Sequence, residues 1–251
     1  MKTGDSERNL GFESLTLRQK AGFPGNLPFP IFITGVSQMT KKAIFFDLDG
    51  TLTDSGEGII NCARLALAHF GLPQPTDREM RVFVGPPLRE TFAKFGVPED
   101  GIEKAMEIYR ERYNPVGIFE NVPYPGIHDL VAKLQKDGHR LFLATAKPEV
   151  MALRIMDRFE LAPYFELICG ASLDLSRDSK AAVIAYLLEQ IPDAQQVIMV
   201  GDTAYDVIGA AEHGIPTIGV SWGYGKVEDM TTAGAVAIAN TMDELYELLS
   251  K

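Results

Sequence analysis

Six short, largely apolar runs constrain this chain more than any other feature. They are AIFF (43–46), LFLA (141–144), FELIC (165–169), VIMV (197–200), TIGV (217–220) and AVAIA (235–239). A strand with one wet face alternates apolar and polar residues, whereas most of these runs are apolar throughout. That pattern suits strands covered on both faces of a parallel sheet. Helical patterns separate them. IHDLVAKLQKDG closes at Gly138, PEVMALRIMDRF opens at Pro148, and KAAVIAYLLEQ, AYDVIGAAEHG and MDELYELL follow. Gly past a helix end and Pro in a first turn are ordinary helix boundaries. Thr241 with Glu244 reads as a capping box. Strands alternating with helices predict an α/β fold, a parallel sheet flanked by helices.

One stretch breaks the alternation. Residues 57–123 carry helical patterns only. In EGIINCARLALAHFG, Ile60, Ala63, Leu67 and Phe70 share one face. Thr76 with Glu79 reads as a second capping box, and Pro87 precedes LRETFAKFG. The turn-rich segments TDSG (53–56) and VPYPG (122–126) bound the stretch and suit hinges. The expected organisation is therefore a core of residues 39–56 and 124–251, with a helical insert at 57–123. Residues 1–38 show neither period and read as a poorly ordered extension. Met39 opens MTKKAIFFD and reads as an alternative start.

Composition excludes some partners. The net charge is −10, so a phosphate backbone finds no excess of Lys and Arg, and nucleic acid is not expected. No apolar run approaches the roughly 20 residues that span a bilayer, so no membrane partner is expected. Cys62 and Cys169 sit in apolar surroundings, outside any CxxC or His/Cys cluster. They read as buried free thiols in a reducing, cytoplasmic compartment.

Ligands on open α/β sheets bind beyond the carboxyl ends of the strands. The first strand exits into Asp47-Leu48-Asp49-Gly50-Thr51, the second core strand into Thr145-Ala146-Lys147, and VIMV into Gly201-Asp202-Thr203-Ala204-Tyr205-Asp206. Asp47 and Asp49, two apart on extended chain, point the same way. Asp206 falls in a first helical turn, where it either caps the helix or joins Asp202. Oxygen donors without His or Cys favour a hard cation such as Mg²⁺, which relieves repulsion among the acids. Lys180 begins a helix, where a cation is unfavourable unless an anion lies nearby.

DLDGT (47–51), LATAKP (143–148), Lys180 and GDTAYD (201–206), in that order over residues 42–251, resemble the haloacid dehalogenase-like phosphohydrolase superfamily. GVSWGYG (219–225) and GPPLRETF (85–92) resemble its phosphoglycolate phosphatase and nucleotidase-like branch. The resemblance implies a Rossmann-like core with an inserted α-helical cap. It implies Asp47 as nucleophile, forming an aspartyl-phosphate, and Asp49 as general acid and base. It implies Mg²⁺ held by Asp47, the Asp49 carbonyl and Asp202, with Asp206 as ligand or supporting group. Thr145 and the following N–H, at Ala146, would hold phosphoryl oxygens, and Lys180 would neutralise charge.

Dehalogenases of this superfamily lack an acid two residues past the nucleophile. Asp49 therefore favours ester cleavage, where the leaving alkoxide needs a proton. The expected activity is a Mg²⁺-dependent phosphatase acting on a small phosphorylated metabolite such as phosphoglycolate or a 5′-nucleotide, as a monomer or homodimer. A phosphomutase and a non-catalytic phosphometabolite-binding protein are the alternatives. Lys147 reaches either substrate or the surface, and both readings stand. Of Arg64, Arg89 and Lys94 in the insert, Arg89 is the leading candidate for reading the substrate.

Overall fold

The computed structural model describes residues 41–174 and 176–251. The expected extension, residues 1–38, lies outside them. In chain order the elements are β1 Ala43–Phe46, β2 Thr53–Asp54, α1 Gly56–His69, α2 Asp77–Met80, α3 Leu88–Lys94, α4 Ile102–Tyr113, β3 Val122–Pro123 and α5 Ile127–Lys136. There follow β4 Arg140–Pro148, α6 Glu149–Arg158, β5 Leu167–Ala171, α7 Lys180–Gln190, β6 Val197–Gly201, α8 Ala204–Ala211, β7 Thr217–Val220, α9 Val227–Ala233, β8 Ala237–Ala239 and α10 Met242–Leu249.

Six strands form one parallel sheet in the order β5-β4-β1-β6-β7-β8. The uninterrupted apolar runs are explained by two cores, one on each face. Ile44, Phe46, Leu141, Leu143 and Val200 pack into one, with Leu134 of α5, Ile155 of α6 and Leu249 of α10. Ala43, Phe45, Phe142 and Ala144 pack into the other, with Val183, Ile184 and Leu187 of α7. Burying a Leu, Ile or Phe side chain contributes about 1.5–3 kcal/mol, so both faces hold the sheet.

The chain runs outward from β1 to β4 and β5, then returns to β6 on the opposite side of β1. Strand order therefore reverses at β1, and the crevice for a ligand opens at its carboxyl end. Register then fixes which residues meet there. Phe46 is level with Leu143 and with Val200. Asp47, Ala144 and Gly201 are thus the next residues out, and the Asp47 amide donates to Val200 O at 2.9 Å.

Several elements depart from the sequence expectation. β5 lies two residues later than FELIC, because the Glu166 amide bonds Leu141 O at 2.8 Å and starts the pairing there. The expected hinges at 53–56 and 122–126 contain a two-stranded antiparallel ribbon, with Thr53 opposite Pro123 and Asp54 opposite Val122. The Thr76–Glu79 capping box forms in full. At Thr241 only half forms: Thr241 accepts from the Glu244 amide, but the Glu244 carboxylate turns to Asn240. Helix α9 carries no signal that the apolar pattern detected. Cys62 and Cys169 are free and buried. Among the described residues, no helix is long and apolar enough to cross a membrane.

Candidate active site

Alternation along β1 sends Ile44, Phe46 and then Leu48 into the larger core. Asp47 takes the opposite side, toward α7. There Lys180, the first residue of α7, brings its ammonium to 2.8 Å from Asp47 Oδ1 and 2.7 Å from Asp206 Oδ1. It also donates to the Ala144 carbonyl at 2.9 Å. Ser179 caps α7 by accepting from the Ala182 amide at 3.2 Å. The lysine, unfavourable at that helix end by its dipole, is compensated by two carboxylates. Gly209 of α8 permits the close approach, since a Cβ there would stand 2.8 Å from the Lys180 side chain.

Asp206 caps its helix with one oxygen and faces Lys180 with the other. Its Oδ2 accepts from the Thr203 amide at 3.0 Å and the Thr203 hydroxyl at 2.9 Å, which starts α8. Its Oδ1 faces Lys180. Asp202, fully buried, accepts from Thr51 Oγ1 at 3.3 Å and from the Tyr224 amide at 2.8 Å. Gly50 turns the chain at a φ of +86°, and a Cβ there would lie 2.2 Å from Asp202 Oδ2. Only glycine fits that position on both counts.

Asp47, Asp202 and Asp206 each present an oxygen within 4.8 Å of the others. Three carboxylates against the single Lys180 ammonium leave two negative charges uncompensated if all three ionise. Burial pushes the Asp47 carboxyl up to about 6; Lys180 draws it down, while Asp206 and Asp49 push it further up. Burial, then Asp206 and Asp47, hold Asp202 well above the usual carboxylate range. Lys180 is opposed by burial, yet Asp206 and Asp47 raise it, so it stays charged. The donor set, all oxygen and short of positive charge, fits a hard divalent cation.

Asp49 stands apart from this cluster. Its Oδ2 meets Lys147 Nζ at 2.7 Å, and both side chains are largely buried. Lys147 is therefore not a surface lysine. Burial opposes its charge, but Asp49 and then Tyr113 raise it. Its ammonium lies 5.1 Å from the centre of the Tyr113 ring. Thr145 is buried and its hydroxyl accepts from the Lys147 amide at 3.2 Å. Ala146 is exposed, at an irregularity where β4 shifts register against β5.

Not every candidate converges here. Arg89 forks onto Glu103 of α4, with Nη2 2.9 Å from Oε2. Arg64 bonds Pro75 O and Asp77. Two residues escaped sequence reasoning. Tyr224 holds Asp202 through its amide while its hydroxyl bonds the Asp54 carboxylate and accepts from the Gly56 amide at 2.7 Å. Tyr113 looked like one more apolar position on a helix.

The sequence profile of the haloacid dehalogenase-like hydrolases matches residues 44–220, well over half of the chain. The chain belongs to this family. Within it, the chain is 45% identical over 213 residues to the tyrosine-protein kinase PtkA of Mycobacterium tuberculosis, covering 84% of this chain and 73% of that protein. It is 38% identical to a 5′-nucleotidase of Pseudomonas aeruginosa, over 74% of this chain and 86% of the nucleotidase. Among solved structures, a haloacid dehalogenase-like hydrolase from Streptococcus pneumoniae superposes with a TM-score of 0.78 at 35% identity, over 83% of this chain and 98% of the other. The haloacid dehalogenase-like fold thus accounts for the sheet order and for the acids gathered beyond it.

Proposed function

We propose that this haloacid dehalogenase-like hydrolase is a Mg²⁺-dependent phosphatase that cleaves small phosphomonoesters through an aspartyl-phosphate on Asp47. One observation carries the reading: the Asp47 carboxylate is buried beside the Lys180 ammonium, within ligand distance of two further carboxylates. Asp47, Asp202 and Asp206 are the side chains that would hold the ion, together with the Asp49 carbonyl. Bound there, it neutralises charge on the nucleophile and on the phosphoryl oxygens.

In the first step an Asp47 oxygen bonds phosphorus as the ester P–O bond breaks, and Asp49 gives its proton to the departing alkoxide. In the second, water attacks phosphorus, Asp49 takes the proton, and the Asp47–phosphorus bond breaks to release inorganic phosphate. Lys180 balances charge shared between nucleophile and phosphoryl group, while Thr145 and the Ala146 amide hold its oxygens. Residues 57–123 act as a cap over the core of residues 39–56 and 124–251, shutting water out during the first step. The substrate is a small phosphorylated metabolite, phosphoglycolate-like or 5′-nucleotide-like.

The test is phosphate release from an aryl phosphate with Mg²⁺, with chelator, and with Asp47→Asn. Loss under chelation and in the variant supports the reading, as does an acid-stable, hydroxylamine-sensitive phosphoryl label on wild-type protein. Turnover by Asp47→Asn removes Asp47 as nucleophile.

The 45% identity to a tyrosine-protein kinase favours a second reading. Asp47 takes the γ-phosphoryl of ATP, releasing ADP, and a tyrosine hydroxyl replaces water in the second step while Asp49 takes its proton. Transfer of label from γ-labelled ATP to protein tyrosine distinguishes this from release as free phosphate.

A further inference from the structure

Lys147 leaves the carboxyl end of β4 inside the protein rather than on its surface. The pairing of β4 with β5 shifts register between Ala144 and Pro148. Across that irregularity Ala146 is exposed, while the Lys147 side chain is 6% exposed. Two contacts fix the backbone there. The Lys147 amide donates to Thr145 Oγ1 at 3.2 Å. Gly170 of β5 lies so close that a Cβ on it would stand 2.5 Å from the Lys147 carbonyl oxygen. A larger residue at 170 has no room, so β5 holds the turn that aims the lysine inward.

An ammonium withdrawn from water needs a counter-charge. Among the described residues, Asp49 is the sole carboxylate within ion-pair distance of Lys147, with Oδ2 at 2.7 Å. Lys180 serves different acids, Asp47 and Asp206. The strand ends therefore carry two lysines with separate partners. Asp49 Oδ1 is buried and has no hydrogen-bond partner among the described residues. Asp49 is also close enough to add to the upward push that burial and Asp206 exert on Asp47.

The remaining neighbour of Lys147 is aromatic. Its ammonium lies 5.1 Å from the centre of the Tyr113 ring, within the reach of a cation–π contact. Tyr113 is buried at the end of α4 and stacks on Tyr109, ring centres 5.2 Å apart and planes 16° apart. A ring fixed in this way limits where an ammonium on a flexible four-carbon stem settles.

We infer that Lys147 is the positioning residue of the proton carrier: braced on Tyr113, its ammonium holds Asp49 Oδ2 and leaves Oδ1 to exchange the proton with the ester. The inference rests on the phosphatase reading, which gives Asp49 that task, and adds the residue through which Asp49 performs it. As the ester P–O bond breaks, the proton on Oδ1 passes to the departing oxygen. In the second step Oδ1 takes one from the attacking water. Lys147 keeps its own protons in both steps and acts only through Asp49. A carboxyl free to rotate loses this alignment, and a misplacement of about 1 Å slows a reaction about a hundredfold.

The experiment measures kcat/KM, which reports events up to P–O cleavage, for ethyl phosphate and for 4-nitrophenyl phosphate. Ethoxide needs a proton to leave, and 4-nitrophenoxide does not. Wild type is compared with Lys147→Met, Asp49→Asn and the double variant. Lys147→Met is expected to lose about a hundredfold on ethyl phosphate and no more than about threefold on 4-nitrophenyl phosphate. Asp49→Asn is expected to show the same bias. The double variant is expected to be no slower on ethyl phosphate than Asp49→Asn alone, as for residues that act as a unit. Lys147→Gln, shorter and uncharged, takes the place of Lys147→Met if that variant fails to fold. Equal losses on both esters overturn the inference, because a merely structural lysine slows both alike. Losses that multiply in the double variant also overturn it, because they give Lys147 a role independent of Asp49. Either result leaves the phosphatase reading intact. No Mg²⁺-dependent turnover of any ester by wild type overturns both.

Discussion

Asp206 divides its two oxygens, one to the backbone and hydroxyl of Thr203 and one to the Lys180 ammonium at 2.7 Å. A single carboxylate therefore starts helix α8 and faces the Lys180 ammonium. The two tasks separate by substitution. Asp206→Asn keeps an acceptor for the cap but loses the charge opposite Lys180. Asp206→Ala loses both. Urea unfolding should show Asp206→Ala about 1 kcal/mol less stable than Asp206→Asn, the typical worth of such a cap. Mg²⁺ affinity should fall in both variants. Equal stability of the two would mean the cap contributes nothing.

Lys180 is the sole cation within bonding distance of the Asp47 and Asp206 carboxylates among the described residues. Replacing it with Met strands buried acids. Breaking a buried pair from one side costs about 3–5 kcal/mol. Lys180→Met should lose that much stability in chelator and regain part of it in Mg²⁺, with phosphate release reduced at least about a thousandfold. Chemical denaturation with and without the ion reads the first effect, and steady-state kinetics the second.

The Asp47 carboxyl is pushed from 3.8 to about 6, chiefly by burial. A raised carboxyl favours the native state most below its unfolded value, and that contribution is lost as pH rises through about 6. Cation binding needs the ionised form and competes with the proton. The rise in Tm on adding Mg²⁺ should therefore be small at pH 5 and large at pH 8. A rise independent of pH would place the ion elsewhere.

Tyr224 ties Asp202 to Asp54 and Gly56, where the helical segment leaves the core. Tyr224→Phe removes only the hydroxyl. It should cost about 1 kcal/mol, the typical net worth of a hydrogen bond, and speed hydrogen exchange at the Gly56 amide about fivefold. Unchanged exchange at Gly56 would show that the hydroxyl does not secure this crossing.

Much of this was legible in the sequence because strand ends and apolar runs are local signals. Asp47, Thr145, Lys180, Asp202 and Asp206 all follow from where a run stops or a helix starts. Contacts between distant positions left no such trace. Lys147 meets Asp49 across 98 residues, and nothing in AKP distinguishes a buried lysine from a solvated one. Tyr113 shares a buried helical stripe with Tyr109, so its hydroxyl was invisible to an apolar pattern. The ribbon has two residues per strand, too few for alternation to register. β5 shifted because its register belongs to Leu141, not to its own hydrophobicity.

The helical segment leaves and rejoins the core side by side, through that ribbon. The stretch between Ser55 and Asn121 enters and exits at one point, so its length does not set the strand pairing, while its buried side chains join the same core as Ile44 and Phe46 of β1. Lengthening a loop there leaves every pairing of β1 untouched. The chain thus crosses between sheet and helical segment at a single pair of neighbouring strands, with Ser55 and Asn121 at the seam.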